Sequence, residues 1–241
     1  MKTKSLLFGT LALCIGMGLI TACDNTNNNN NDNKPETPAT PEKLVMTAPQ
    51  VTANESGFIY LEQFPETDPH LTVKVSEDFT TATISYDGKE LQTVTSDELA
   101  SDSALVRFLD ANFDGLTDIY IGLGTPRTAN SLLVWNEKDQ KFVSVEGTSL
   151  QNPMLDPETK SFIEGGSNSA VEYYISRSLF NGDKMEMQEQ LCVIMAPEEY
   201  ANNNVEHKYT LSDPEGKVLC STETADGLPE IWQKIVTVFD Y

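Results

Sequence analysis

The chain has 241 residues, with 37 acidic against 16 basic side chains and a formal net charge of −21. So acidic a surface repels phosphate backbones and anionic lipid headgroups, which excludes nucleic-acid binding and electrostatic docking on membranes. A cation or a basic protein remains a suitable partner. Only two histidines occur, His70 and His207, with no paired spacing for a metal and no base set beside a nucleophile, so the chain reads as a non-enzyme.

Lys2 and Lys4 precede an apolar stretch from Leu6 through Ile20. This is the charged-then-apolar layout of a secretory signal, and it is too short to span a bilayer comfortably. It closes as Leu19-Ile20-Thr21-Ala22-Cys23, which resembles the lipobox of bacterial lipoproteins. The resemblance implies removal of residues 1–22, lipidation of Cys23 and a place in the bacterial cell envelope. Several acyl chains on one residue anchor stably without a transmembrane helix. Asp24 resembles the inner-membrane retention signal of enterobacterial lipoproteins, but other phyla read these positions differently, so the membrane and leaflet stay open. Residues 24 to 50 are polar, with Asn27 to Asn31 unbroken and then Pro35, Pro38, Pro41 and Pro49. Such a segment cannot bury enough apolar surface to fold. It predicts a tether over residues 23–50, followed by a single domain over 51–241.

Along the domain, Leu71-Thr72-Val73-Lys74-Val75 and Ala82-Thr83-Ile84-Ser85-Tyr86 alternate with period two, and Leu132 to Trp135 is a short apolar run. All three predict strands. Asp87-Gly88 and Asn181-Gly182 are hairpin signals. Three further turns look alike: Asn136 to Phe142, Asp156 to Phe162 and Asp213 to Val218, each opening on Asn or Asp. The expected fold is mainly β, an antiparallel hairpin meander closing as a propeller-like or sandwich domain. Short helices are expected near Pro197 to Tyr200 and after Asp226, where Leu228, Trp232, Ile235 and Phe239 share a face. Beyond the signal and Cys23 the cysteines are Cys192 and Cys220. A disulfide between them and two buried thiols packing as small apolar residues are both open readings.

Chemistry concentrates in Asp110-Ala111-Asn112-Phe113-Asp114-Gly115-Leu116-Thr117-Asp118. Oxygen side chains stand at the first, third, fifth and ninth positions and a glycine at the sixth, as at the start of a calcium loop. Calcium takes six to eight oxygens, and alternate residues of a tight loop point theirs at a common centre. Asp110, Asn112, Asp114 and Asp118 would ligate Ca2+ by side chain and Leu116 by its carbonyl. The glutamate of a helix-loop-helix site is missing, since Ile121 stands at the twelfth position, and the flanks Val106–Leu109 and Ile119–Ile121 are strand-like.

The loop therefore resembles the FG-GAP and VCBS type carried on a β-hairpin. With Leu133-Val134-Trp135-Asn136, Lys141-Phe142-Val143, Ser161-Phe162-Ile163 and Glu172-Tyr173-Tyr174, residues 104 to 190 resemble a group of calcium-binding bacterial envelope proteins that includes periplasmic lysozyme inhibitors and immunity proteins. In inhibitors of invertebrate-type lysozymes a loop bearing Ser, Gly and Tyr enters the enzyme's cleft. The nearest counterpart here is Gly166, Ser167, Asn168, Ser169 and Tyr173. The resemblance implies a protein partner, a lysozyme-like peptidoglycan hydrolase. A surface glycan-binding or adhesive protein is the alternative. A hydrolase is the third reading, although Gly165-Gly166-Ser167-Asn168-Ser169 misses the nucleophile elbow G-x-S-x-G at its last position.

Overall fold

A computed structural model describes residues 43–78, 80–95, 105–122, 131–145, 151–195 and 207–239. The signal segment, Cys23, the Asn/Pro-rich run through residue 42 and the helix expected at Pro197–Tyr200 lie outside the described residues.

Hairpins follow one another in chain order, as the turn chemistry predicts. β1 (Ile59–Tyr60) comes first; β2 (Leu71–Val75), β3 (Thr81–Tyr86) and β4 (Lys89–Thr95) form a three-stranded sheet. β5 (Leu105–Leu109), β6 (Asp118–Gly122), β7 (Ser131–Asn136) and β8 (Lys141–Ser144) form a four-stranded sheet. The third sheet has seven strands: β1 beside β9 (Met154–Asp156), then β10 (Ser161–Ser167), β11 (Glu172–Asn181), β12 (Lys184–Met195), β13 (His207–Ser212) and β14 (Val218–Thr222). Every pairing among them is antiparallel. The chain returns as one helix, α1 (Glu230–Phe239).

Local chemistry explains the turns. Asp87 and Gly88 have φ of 48° and 74° and join Tyr86 to its partner Lys89, the two positive φ angles that a tight hairpin needs. The β11–β12 turn lies one residue later than the Asn-Gly signal suggests, because Asn181 pairs with Lys184 and Gly182-Asp183 form its centre. The three look-alike turns share a device. Their opening side chains, Asn136, Asp156 and Asp213, accept backbone N–H bonds from Asp139, Glu158 and Lys217 at 3.0, 3.0 and 2.8 Å.

The apolar faces stack the sheets in layers. Ile84 and Leu71 of the three-stranded sheet pack with Phe108, Ile119, Leu133 and Trp135 of the four-stranded one. Its other face, Leu109, Tyr120, Leu132 and Val134, packs with Leu155 and Phe162 of the seven-stranded sheet. That sheet's far face, with Ile163, Ile175, Leu191 and Val193, buries Trp232, Ile235 and Val236 of α1. Gln92 on β4 also closes the outer edge of β8: its side-chain amide donates to the Phe142 carbonyl at 2.9 Å and its oxygen accepts the Phe142 N–H at 2.8 Å.

One open reading is narrowed and one boundary moves. Cys192 and Cys220 are both free. Cys192 pairs with Thr210 on β13 while Cys220 pairs with Leu211, so the cysteines project from opposite faces of strands separated by β13. Two strand spacings are roughly 9.5 Å, beyond what a disulfide spans. The domain also begins before residue 51. Met46 and Ala48 are 4% and 3% exposed, because Met46 fills the seam between the three- and four-stranded sheets. Composition hid this, since one buried methionine in a polar, proline-rich run leaves no periodic signal.

Candidate functional site

The Asp110–Thr117 loop joins β5 to β6 and winds its backbone tightly around its own side chains. Asp110 accepts the N–H of Asp114 at 3.0 Å on one oxygen and the N–H of Gly115 at 2.9 Å on the other. Asn112 accepts the Asp114 N–H at 3.1 Å and donates to the Asp114 carboxylate at 2.9 Å, while Asp114 accepts the Leu116 N–H at 2.8 Å. Phe113 and Gly115 take φ of 61° and 84°. A Cβ on Gly115 would touch nothing within 4 Å, so this glycine answers the backbone angle and not a lack of space.

Asp118 stands apart from the rest. It is fully buried, accepting the Ala111 N–H at 2.8 Å on one oxygen and the Trp135 N–H at 2.9 Å on the other. It thus ties the loop and β6 to β7. Burial pushes its carboxyl well above the ordinary carboxylate range; the Trp135 and Ala111 bonds pull down, and the charges of Asp114 and Asp110 push up again. Burial raises Asp110 as well, with the charge of Asp114 adding to it.

The donor set suits a hard divalent cation in kind. It is all oxygen, three carboxylates and an amide, and the charge of Asp114 adds to burial in raising Asp110 and, with that of Asp110, in raising Asp118, a repulsion that a cation relieves. Each carboxylate oxygen bonded to an N–H keeps a second lone pair. In placement the set is not closed: among the described residues no three acidic, histidine or cysteine side chains converge to hold an ion. The oxygens are turned instead to backbone N–H groups, those of the loop itself and, for Asp118, also that of Trp135 on β7.

The titration has a consequence for stability. In the folded chain Asp118 and Asp110 keep their protons to higher pH than in the unfolded chain, where the ordinary value is 3.8. Folding therefore takes up protons in the window above 3.8, and the metal-free protein loses stability as pH rises through it. Urea midpoints in chelator are expected to be higher at pH 5.5 than at pH 7. A flat or opposite trend would show that these carboxyls titrate as in the unfolded chain.

The second set of expected residues meets at one tip. Ser167, Asn168, Ser169 and Ala170 turn from β10 into β11 and are exposed. The turn is held internally, with the N–H groups of Asn168 and Ser169 bonded to the Glu172 carbonyl at 2.9 and 3.2 Å. The Val171 N–H bonds the Ser169 hydroxyl at 3.2 Å, and the Tyr173 hydroxyl donates to the Ala170 carbonyl at 3.2 Å. Gly166 lies one step inside and is buried. A Cβ there would run into the Gln151 side chain and the Tyr174 hydroxyl, so Gly166 permits close packing beneath the tip and is not itself a surface contact. Tyr173 and the tip residues line an open depression of about 580 Å³ together with Gln151. Gln151 has no sequence signal, because it arrives from the segment before β9 through its carbonyl bond to the Gly165 N–H at 2.9 Å.

The two sets do not touch. Asn112 and Asp114 border a notch of about 280 Å³ with Asn136, Phe180 and Asp183, at the far end of β11 from the tip. From Tyr173 to Phe180 the strand covers roughly 23 Å at about 3.3 Å per residue. A cation in the loop would thus act on the tip only through the framework.

Fold and loop together define the class: an antiparallel β domain of three layered sheets and a C-terminal helix, carrying an acidic loop on one hairpin and an ordered polar turn on another. No family model matches the chain, and no curated protein matches it. Among solved structures it is similar to one described as the structure of a Xanthomonas type IV secretion system related protein, at 11% identity and a TM-score of 0.40, over 74% of this chain and 99% of that one. At that TM-score the likeness fixes neither fold nor function.

Proposed function

We propose that this is a lipid-anchored protein of the bacterial envelope whose β domain, stabilised by one Ca2+, binds a protein partner and inhibits a lysozyme-like peptidoglycan hydrolase. Cys23 carries the lipid, and the polar run after it spaces the domain from the membrane. Asp110, Asn112, Asp114, Asp118 and the Leu116 carbonyl hold the ion. The layered antiparallel sheets read as a propeller-like or sandwich domain.

The observation that carries the partner reading is the Ser167–Tyr173 turn. It is exposed and polar, yet four internal hydrogen bonds hold it. An ordered turn loses little conformational entropy on docking, which suits insertion into a cleft. The acidic chain also suits the basic charge common among lysozymes, through steering of the encounter. The test is inhibition of lysozyme-like enzymes by the calcium-loaded protein, repeated with Ser167–Ser169 replaced by a Gly-Gly linker. Loss of inhibition with an unchanged melting temperature is the expected result. Inhibition that survives the replacement defeats the insertion reading.

Glycan binding is the second reading, favoured by a cleft of about 490 Å³ lined in part by Pro49, Pro65, Pro69 and Asp68. There the exposed His70 ring stacks on Tyr86, with centroids 5.5 Å apart and planes inclined by 16°. Aromatic faces beside carboxylates suit sugar rings. Glycan-array binding that vanishes with Tyr86→Ala, with no protein captured, would favour it.

A further inference from the structure

We infer that the depression beside the Ser167–Ala170 turn binds a neutral oligosaccharide. The site rests on neither the calcium nor the partner reading, and it shares no residue with the Tyr86 cleft. Gln151, Ser167, Asn168, Ser169, Ala170 and Tyr173 line its volume of about 580 Å³, and none of them is charged. In a chain with 37 acidic and 16 basic side chains, such a lining is selective. A cationic ligand would meet no carboxylate in it, and an anionic one no basic group to set against the charge of the chain. Glu172, next to Tyr173 in sequence, alternates to the other face of β11, where it accepts from the Cys192 thiol at 3.8 Å. What remains is two side-chain amides, hydroxyls and an aromatic ring. Amides and hydroxyls both donate and accept, as the vicinal hydroxyls of a sugar do, and the ring suits the apolar face of a pyranose.

Both walls of the depression are fixed. On one, the Gln151 carbonyl accepts the Gly165 N–H at 2.9 Å and the Asn152 side chain donates to the Gly165 carbonyl at 3.2 Å, so this segment is tied to β10 by two bonds to one residue. Gly166 has no Cβ, and the space a Cβ would fill is taken by Gln151 Oε1 and the Tyr174 hydroxyl. Gln151 therefore lies close against the strand. On the other wall, the bonds that order the turn use main-chain groups and the hydroxyls of Ser169 and Tyr173. They leave the side chains of Gln151, Ser167 and Asn168 for a ligand. The Tyr173 hydroxyl, bonded to the Ala170 carbonyl, sets a ring that packs on the core beneath α1 and lines the depression. Groups placed in advance avoid the ordering cost that weakens the binding of flexible, hydrated ligands. The volume falls within the range of small-ligand sites, about 300–1,000 Å³, and its open side admits a sugar chain that continues beyond it. A protein seated on the turn would cover the depression, so sugar and partner exclude one another.

Amide NMR titration of the full-length protein, in a detergent without sugar headgroups, tests this. The probes are neutral tetrasaccharides of α-linked glucose, β-linked glucose and N-acetylglucosamine, with the acidic tetrasaccharide of galacturonate as control. At least one neutral tetrasaccharide is expected to shift the amides of Gln151 and Ser167–Tyr173 saturably, and galacturonate none of them. Gln151→Leu keeps the bulk, removes the amide and should weaken that binding about two- to tenfold, the range of one lost hydrogen bond. Asn168→Ala, on the exposed turn, should do the same at an unchanged melting temperature, while Tyr86→Ala leaves the affinity as it was. No saturable shift with any neutral tetrasaccharide overturns the site, as does equal binding of galacturonate or full affinity in both Gln151→Leu and Asn168→Ala. Inhibition of a lysozyme-like enzyme by a protein that binds none of these sugars overturns this inference and leaves the partner reading standing.

Discussion

Replacing Asp118 by alanine is expected to lower the stability of the calcium-free protein by about 2–4 kcal/mol and to abolish its response to calcium. The carboxylate accepts two backbone N–H groups, from Ala111 and Trp135, at positions 0% and 2% exposed. Water cannot reach those donors once the side chain is gone, and each orphaned N–H costs on the order of 1–3 kcal/mol. Relief from burying a carboxyl works the other way and offsets part of the loss. The orphaned bonds prevail because they join separate elements, the loop to the start of β6 and β6 to β7. For a domain of this size, thermal unfolding should move down by roughly 2–4 °C per kcal/mol. The unchanged protein should gain about 2.7 kcal/mol from calcium at a hundredfold excess over Kd. Asp118→Asn keeps one acceptor, so about half the destabilisation is expected, again with no calcium response. A calcium-dependent rise in melting temperature that persists in Asp118→Ala would remove Asp118 from the ligand set.

What the sequence discloses and what it hides divide along the range of the interactions. The β3–β4 hairpin was legible because Asp87-Gly88 supplies both positive φ angles within two residues. The look-alike turns were legible for the same reason, their side-chain acceptors and backbone donors lying two to four residues apart. The acidic loop shows itself through spacing alone, since its oxygens come from one short stretch. Its attachment to Trp135, 17 residues on, has no such signature. Likewise β1 reaches its partner β9 across more than ninety residues, with Ile59 opposite Leu155, and two residues of strand leave no readable alternation. Cys192 and Cys220 each sit in a strand-like run, but only the register of β12, β13 and β14 decides that they face apart. Gly166 and Gln151 were invisible as a pair because their contact is steric. Side-chain periodicity reports which face is buried, and it is silent on what covers that face.

Trp232→Ala should be among the most destabilising substitutions, at about 3–5 kcal/mol, and its effect should separate the two candidate sites. Trp232 is fully buried between α1 and the seven-stranded sheet, among Ile163, Ile175, Leu191 and Val193. Its indole N–H donates to Glu189 at 3.0 Å, on the same oxygen that takes two bonds from Arg177 at 3.2 and 3.0 Å. The hydrogen bond is the smaller part. Trp232→Phe, which removes it and some volume, should cost about 1–2 kcal/mol, because Arg177 still satisfies Glu189. With total stabilities near 5–15 kcal/mol, the alanine variant gives up a large share and loosens α1 first. Phe239 at the end of α1 packs against Gly165, where even a Cβ would collide with the ring. Gly165 adjoins Gly166, which seats the Ser167–Tyr173 turn. Loosening α1 thus undermines the turn from below, while the acidic loop, held between β5, β6 and β7 on the other side of the seven-stranded sheet, keeps its supports. Trp232→Ala is therefore expected to lose partner binding at temperatures where calcium still raises its melting point, and simultaneous loss of both would mean that the layers unfold as one unit.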